Sequence, residues 1–233
     1  MPDDSLYTVV CLAFDDKAPL IRKRALYIVL ERLEPSAFLN KSMALCHLHR
    51  LMLDNSYGLR DMARFYCKKL SSEAGKEDNC IQIYLDKLKQ LNPPVNAIIG
   101  LSECCDSSYW PYIAPFCSHP LLSIRIAALT AAVRLQVTNA DKMLASALVA
   151  DSVAARNKGV KLQRQFKLLS YEALIELLNQ VDSKGENPNE VSYLYQLIWL
   201  ADKWRGLAFL LDHALLSQPN GQLQQDYNDL IEK

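Results

Sequence analysis

Ser118-His119-Pro120-Leu121-Leu122-Ser123-Ile124-Arg125-Ile126-Ala127-Ala128-Leu129 decides how the rest of the chain is read. Pro120 lacks the donor a helix interior needs but fits a first turn, so His119-Pro120 closes one segment and opens the next. The helix that follows carries an apolar residue, then Arg125, then the small Ala128 three positions on, where a neighbouring helix can approach closely. The same order appears in Asp16-Lys17-Ala18-Pro19-Leu20-Ile21-Arg22-Lys23-Arg24-Ala25-Leu26 and in Asp54-Asn55-Ser56-Tyr57-Gly58-Leu59-Arg60-Asp61-Met62-Ala63. A further copy, Asp151-Ser152-Val153-Ala154-Ala155-Arg156-Asn157-Lys158-Gly159, is one residue tighter from Asp to Arg. Arg22 and Arg60 lie 38 residues apart, Arg60 and Arg125 65, and Arg125 and Arg156 31. The widest gap holds two units, one of which, around Pro93-Pro94-Val95-Asn96-Ala97, has neither Asp nor Arg in register. A period of this size marks stacked helical pairs, because no such unit can bury its apolar face alone.

Composition agrees with an all-α chain. Among 233 residues there are only 7 Gly, and no alternating β-branched run lies between hairpin turns. Lys+Arg and Asp+Glu are balanced at 26 each, so bulk charge points neither to nucleic acid nor to an anionic membrane. No apolar run reaches the roughly 18 residues of a membrane span, and Met1-Pro2-Asp3-Asp4 is acidic where a signal peptide is basic. Seven Cys, an odd number without a Cys-x-x-Cys pair, fit reduced thiols better than a disulfide framework. The expectation is a soluble, cytoplasmic protein.

Apolar spacing predicts a first helix from Ser5 to Phe14 that buries Leu6, Val9, Val10, Ala13 and Phe14. A helix over 57–70 is expected to bury Leu59, Met62, Ala63, Tyr66 and Leu70 and to present Arg60, Arg64 and Lys68 on its outer flank. Pro111 and Pro115 should interrupt a helix near 108–118. Polar loops are expected at 71–78, where the chain could subdivide, and at 183–189. A polar last helix is expected over 222–232, as a cap or as the edge of an excised piece of a longer array.

The turn Asp, the apolar-Arg pair, the small residue three later and Pro115 in the first helix of its unit resemble HEAT repeats, including the shorter HEAT-like units of the phycobilisome-lyase type. The resemblance covers most of the chain up to about residue 168, with His119 standing where the turn Asp is expected. It implies a single domain over 1–233, an armadillo-type solenoid: a right-handed α-α superhelix of about six to seven helical pairs. It also implies that the Arg of each unit is structural and reaches the turn Asp of an adjacent unit. That makes Asp16, Arg22, Asp54, Arg60, Arg125, Asp151 and Arg156 a ladder.

Local chemistry is sparse. Cys46-His47-Leu48-His49 is the one cluster of metal-capable residues, and on a helix His47 and His49 point about 200° apart, so no metal site is expected. Cys104-Cys105 reads as a buried pair at a helix end. No phosphate loop, nucleophile elbow or catalytic spacing is present, and no cofactor is expected. The clearest candidate for a partner is the basic face Arg156, Lys158, Lys161, Arg164 and Lys167, which Arg125 could extend; its other reading is an ordinary solvated face. Trp110, Trp199, Trp204, Tyr193 and Tyr195 are candidate anchors, with core packing favoured for those in the helix around 194–200. The expectation drawn from HEAT-like arrays is a non-enzymatic scaffold that presents a curved helical surface to a protein partner. The alternative is a nucleic-acid-binding array similar to the HEAT-like alkylpurine DNA glycosylases.

Overall fold

A computed structural model describes residues 2–31, 41–73, 80–182 and 192–217. Among them there are thirteen α-helices, two 3₁₀ segments and no strand, so the chain is all-α. It packs as two units, Met1–Leu135 and Gln136–Lys233. No helix among the described residues is long and apolar enough to cross a membrane. The expected loop at 183–189 and last helix at 222–232 lie outside the described residues.

The first unit runs α1 (Pro2–Ala13), α2 (Pro19–Glu31), α3 (Lys41–Leu51), α4 (Tyr57–Glu73), α5 (Cys80–Leu88), α6 (Val95–Cys104), α7 (Trp110–Ile113) and α8 (Leu122–Arg134). From α1 to α6 each helix packs against the next along the chain, α7 packs against α8, and α6 packs on α8. The second unit holds α9 (Ala140–Leu148), α10 (Val153–Phe166), α11 (Tyr171–Asp182), α12 (Ser192–Ala201) and α13 (Lys203–Ser217), with α12 against α10, α11 and α13. The expected loop at 71–78 opens as helix, since α4 continues to Glu73, and its remainder, 74–78, lies outside the described residues.

The small residue three positions after each Arg does what close helix packing requires. Ala25, Ala63, Ala128 and Gly159 are all buried, and a Cβ on Gly159 would meet the Leu148 side chain of α9 at 3.1 Å. Helix α8 is apolar on nearly every side and accordingly buried from Ile124 through Val133, its Arg125 and Ile126 excepted. Upstream of it, Pro111 and Pro115 break the chain into a 3₁₀ segment at Ser107–Tyr109, the short α7, and a second 3₁₀ segment at Ala114–Ser118. Ile113, fully buried, anchors that stretch.

Two expected faces differ in detail. At the first helix the buried line is Val10 of α1 and Phe14, one residue past its end, while Val9 is 61 % exposed; the side chain of Leu6 lies outside what the structure describes. Val10 and Phe14 share one side at i, i+4 spacing, and Val9 points about 100° away from it. In α4 the line is Leu59, Ala63, Cys67 and Leu70, with Met62 and Tyr66 half-buried at its edges.

Candidate functional site

Four turns carry the same guanidinium lock. Arg22 Nη1 donates to the carbonyls of Asp16 (2.6 Å) and Lys17 (3.0 Å). Arg60 Nη1 donates to those of Asp54 (2.7 Å) and Asn55 (3.2 Å). Arg125 binds His119 O and Pro120 O at 2.7 and 2.9 Å, and Arg156 binds Ala150 O and Asp151 O at 2.7 and 3.0 Å. In every case one nitrogen spans the carbonyls six and five residues back. These acceptors lie in the turn before the second helix of a pair, where no intrahelical donor reaches them.

In the first three copies the residue six before the Arg finishes the turn. Asp16 Oδ1 accepts from Ala18 N at 2.7 Å, and Asp54 Oδ1 from Ser56 N at 2.7 Å. His119 replaces them with a ring nitrogen, Nδ1 accepting from Leu121 N at 3.1 Å. In the fourth copy this position is Ala150, so Asp151 joins the lock through its carbonyl, one place later than the Asp of the other turns. Ser152 takes over the capping, its hydroxyl accepting from Ala155 N at 3.4 Å.

Two locks reach a neighbouring pair. Arg22 grips Asp54 with two parallel bonds, Nε to Oδ2 at 2.7 Å and Nη2 to Oδ1 at 2.8 Å, and the two side chains are only 11 % and 8 % exposed. Arg60 does the same to Glu103 of α6 through Nε, at 3.0 Å to Oε2, and Nη2 to Oε1. Glu103 belongs to the unit without a motif Arg. Asn96 of the same helix reaches back to Leu53 O at 3.0 Å and Asn55 Oδ1 at 2.8 Å. For Arg125 and Arg156 the lock is made to backbone.

Glu103 is the charged centre of the first unit. Besides Arg60 it accepts from Arg64 Nη1 at 2.8 Å, and Arg134 Nη1 of α8 lies 3.1 Å from Oε1 as an ion pair without hydrogen-bond alignment. Oε2 accepts from both Arg60 and Arg64, and Oε1 from Arg60 alone. Arg60 and Arg64 therefore turn inward, contrary to the outer-flank expectation, and only Lys68 of that trio is exposed. Burial pushes the Glu103 carboxyl up, but hydrogen bonds and charge from Arg60 and Arg64 outweigh it and hold it below the ordinary carboxylate value. Tyr84, fully buried, donates to Met52 O at 3.0 Å and accepts from Arg64 Nη1 at 3.2 Å. Its ring lies where a Cβ on Gly100 would stand, 2.5 Å from Cε1.

The basic stretch 156–167 is less uniform than its spacing suggests. Arg156 is committed to its turn, and Arg164 Nη2 donates to Gln196 Oε1 of α12 at 2.8 Å. Lys161 is exposed, and Lys158 is half-buried. Lys167 sits beyond the helix as its left-handed cap, φ 49°, with its N–H on Gln163 O. The Gln163 side chain clamps that corner, accepting from Leu169 N at 3.0 Å and donating to Leu169 O at 2.8 Å. Arg125 belongs to the first unit and the 156–167 stretch to the second.

Other candidates fall to packing or to solvent. His47 stacks on Phe14 with ring centroids 4.5 Å apart, and burial lowers its pKa. Trp110, Trp199, Tyr193 and Tyr195 are half-buried, and Lys203 lies over the Trp199 ring, whereas Trp204 is 84 % exposed. Each lock Arg is preceded within four residues by an exposed apolar side chain: Leu20 (77 %), Tyr57 (58 %), Leu121 (47 %) and Val153 (60 %). Glu103, Asn96, Gln163 and this apolar series were not singled out from the sequence. Comparison of the chain with protein-family models and with the curated proteins finds no match to either.

Proposed function

We propose that this chain is a HEAT-like α-solenoid, a right-handed superhelix of helical pairs, that works as a soluble, intracellular, non-enzymatic scaffold for a protein partner. The observation that carries this reading is the lock made four times over by Arg22, Arg60, Arg125 and Arg156 to carbonyls at the same two offsets. It gives the most prominent row of cations a structural role. What stands out beside each lock is apolar: Leu20, Tyr57, Leu121 and Val153 are exposed at the start of the second helices. Exposed apolar and aromatic side chains near the start of each of these helices suit a protein surface better than a phosphate backbone. Arg156 and Arg164 already hold protein groups, which thins the cationic face that duplex DNA would need.

The test is a pair of binding measurements. Protein captured from native lysate should be retained by wild type and lost from Tyr57→Ser and Leu121→Ser variants of unchanged thermal midpoint. Duplex DNA should not bind at physiological salt. Micromolar duplex binding whose log K falls by about 0.9 per phosphate neutralised, and whose slope shallows when Lys161, Arg164 and Lys167 are reversed, would replace this reading with a nucleic-acid-binding one.

A further inference from the structure

At the end of α6 two thiols stand side by side. Cys104 is the last residue of the helix and is exposed; Cys105, half-buried, is its cap, in extended backbone (φ −120°, ψ 167°) with its N–H on Leu101 O at 3.1 Å. Their sulfurs lie 3.9 Å apart, and Cys104 Sγ is also 3.3 Å from Gly100 O. Both are held by the helix terminus, and Glu103, the residue before them, is fixed by three guanidiniums. The expected buried pair is thus a pair with an accessible side.

The separation discriminates between the fates of a dithiol. A disulfide needs its sulfurs at about 2.05 Å, so they would have to close by nearly 2 Å across a single peptide unit, against the usual geometry of such bonds. A soft centre that bonds both sulfurs at about 2.3 Å spans about 3.3 to 3.8 Å between them for bond angles of about 90° to 109°. The observed 3.9 Å lies just beyond the upper end of that range, so chelation asks for a far smaller closure than a disulfide does. We propose that Cys104 and Cys105 form a chelating site for a trivalent, thiophilic centre of the organoarsenic(III) class.

A divalent cation fits less well. It must displace both thiol protons, and the Cys104 hydrogen bond, followed by burial, pushes the Cys105 thiol well above the ordinary range. It also needs further ligands, and among the described residues no group of three His, Cys, Asp or Glu is placed to hold a metal ion. An arsenic(III) dihydroxide, RAs(OH)₂, needs two sulfurs only. Two As–S bonds form, two As–O and two S–H bonds break, and two waters leave. No atom changes oxidation state and no net proton is released, so the raised thiol pKa does not oppose the equilibrium.

The experiment treats the native, reduced protein with one equivalent of phenylarsine oxide and follows intact mass and free-thiol count. One adduct per chain should form, two titratable thiols should disappear, and a dithiol, but not an equimolar monothiol, should reverse it. Cys104→Ser and Cys105→Ser should each weaken the adduct at least tenfold, while Cys117→Ser, at another half-buried thiol, should leave it unchanged. Far-UV circular dichroism establishes that each variant is folded, and Cys104→Ala serves if a serine variant is not. Failure of wild type to form the adduct, or an adduct that survives in folded Cys104 and Cys105 variants, overturns the assignment.

Discussion

Replacing Glu103 by glutamine keeps the shape of the side chain and removes the charge that holds three guanidiniums. The carboxylate is 2 % exposed, Arg60 5 % and Arg64 11 %, so solvent cannot compensate for the loss. The new amide would also turn an NH₂ donor toward groups that only donate. Removing one partner of a buried ion pair costs about 3 to 5 kcal/mol, because the remaining charge stays buried and unpaired. At about 2 to 4 °C per kcal/mol for a chain of this size, the thermal midpoint should fall by roughly 6 to 20 °C. The control is Glu172→Gln, whose pair with Arg205 is 64 % and 59 % exposed and should leave the midpoint in place. The pH dependence adds a second readout. The folded carboxyl lies below its unfolded value of about 4.3, so the unfolded chain binds the proton more readily. The stabilisation is therefore complete above about pH 5 and is lost as pH falls through the folded value. The gap between wild type and Glu103→Gln should shrink in acid and stay constant near neutrality. A variant within about 1 kcal/mol of wild type at pH 7 would show that the cluster is not a stabilising centre.

Three further outcomes follow from the same region and from the second unit. Burial pushes the Tyr84 phenol up to about 12 despite Arg64, so between about pH 10 and 12 the unfolded chain releases a proton that the folded one keeps. Stability should fall across that window in wild type but less in Tyr84→Phe, which should itself cost about 1 to 3 kcal/mol in denaturant titrations by stranding Met52 O. Gly100→Ala should destabilise by about 1 to 3 kcal/mol or more, since the new methyl meets a ring that is fully buried and tied at its hydroxyl. Gly206→Ala should act likewise in the second unit, where the added Cβ would stand 2.9 Å from Trp199 Cα; an unchanged midpoint in either glycine variant would refute the close packing.

The helical grammar was readable because its residues sit at fixed offsets from one another. A proline or Asp at the turn, Arg next, and a small residue three later are constrained by one turn and one helix, and local sequence records such constraints. The Arg22 to Asp54 bond could be anticipated because both ends belong to the motif. Glu103 could not, since its partners Arg60 and Arg64 lie 43 and 39 residues away and nothing in its own helix marks it as their acceptor. For the same reason i, i+4 spacing put Arg60 and Arg64 on an outer flank: periodicity tells which residues share a face, and only the neighbouring helix decides whether that face is solvated. The basic stretch shows how little charge spacing says about local roles. Arg156 and Lys167 share its charge but sit in a lock and in a left-handed cap, which charge spacing alone does not distinguish from an open face.

A double-mutant cycle on Arg22 and Asp54 tests most directly whether the repeated arginines are joints between neighbouring helical pairs. Arg22→Ala, Asp54→Ala and the double variant are unfolded in urea, and the coupling is read from the three stability differences. The account predicts that each single variant is destabilised and that the pair couples by about 1.5 to 3 kcal/mol, as charged, largely buried hydrogen bonds do. Additive losses with no coupling would contradict it.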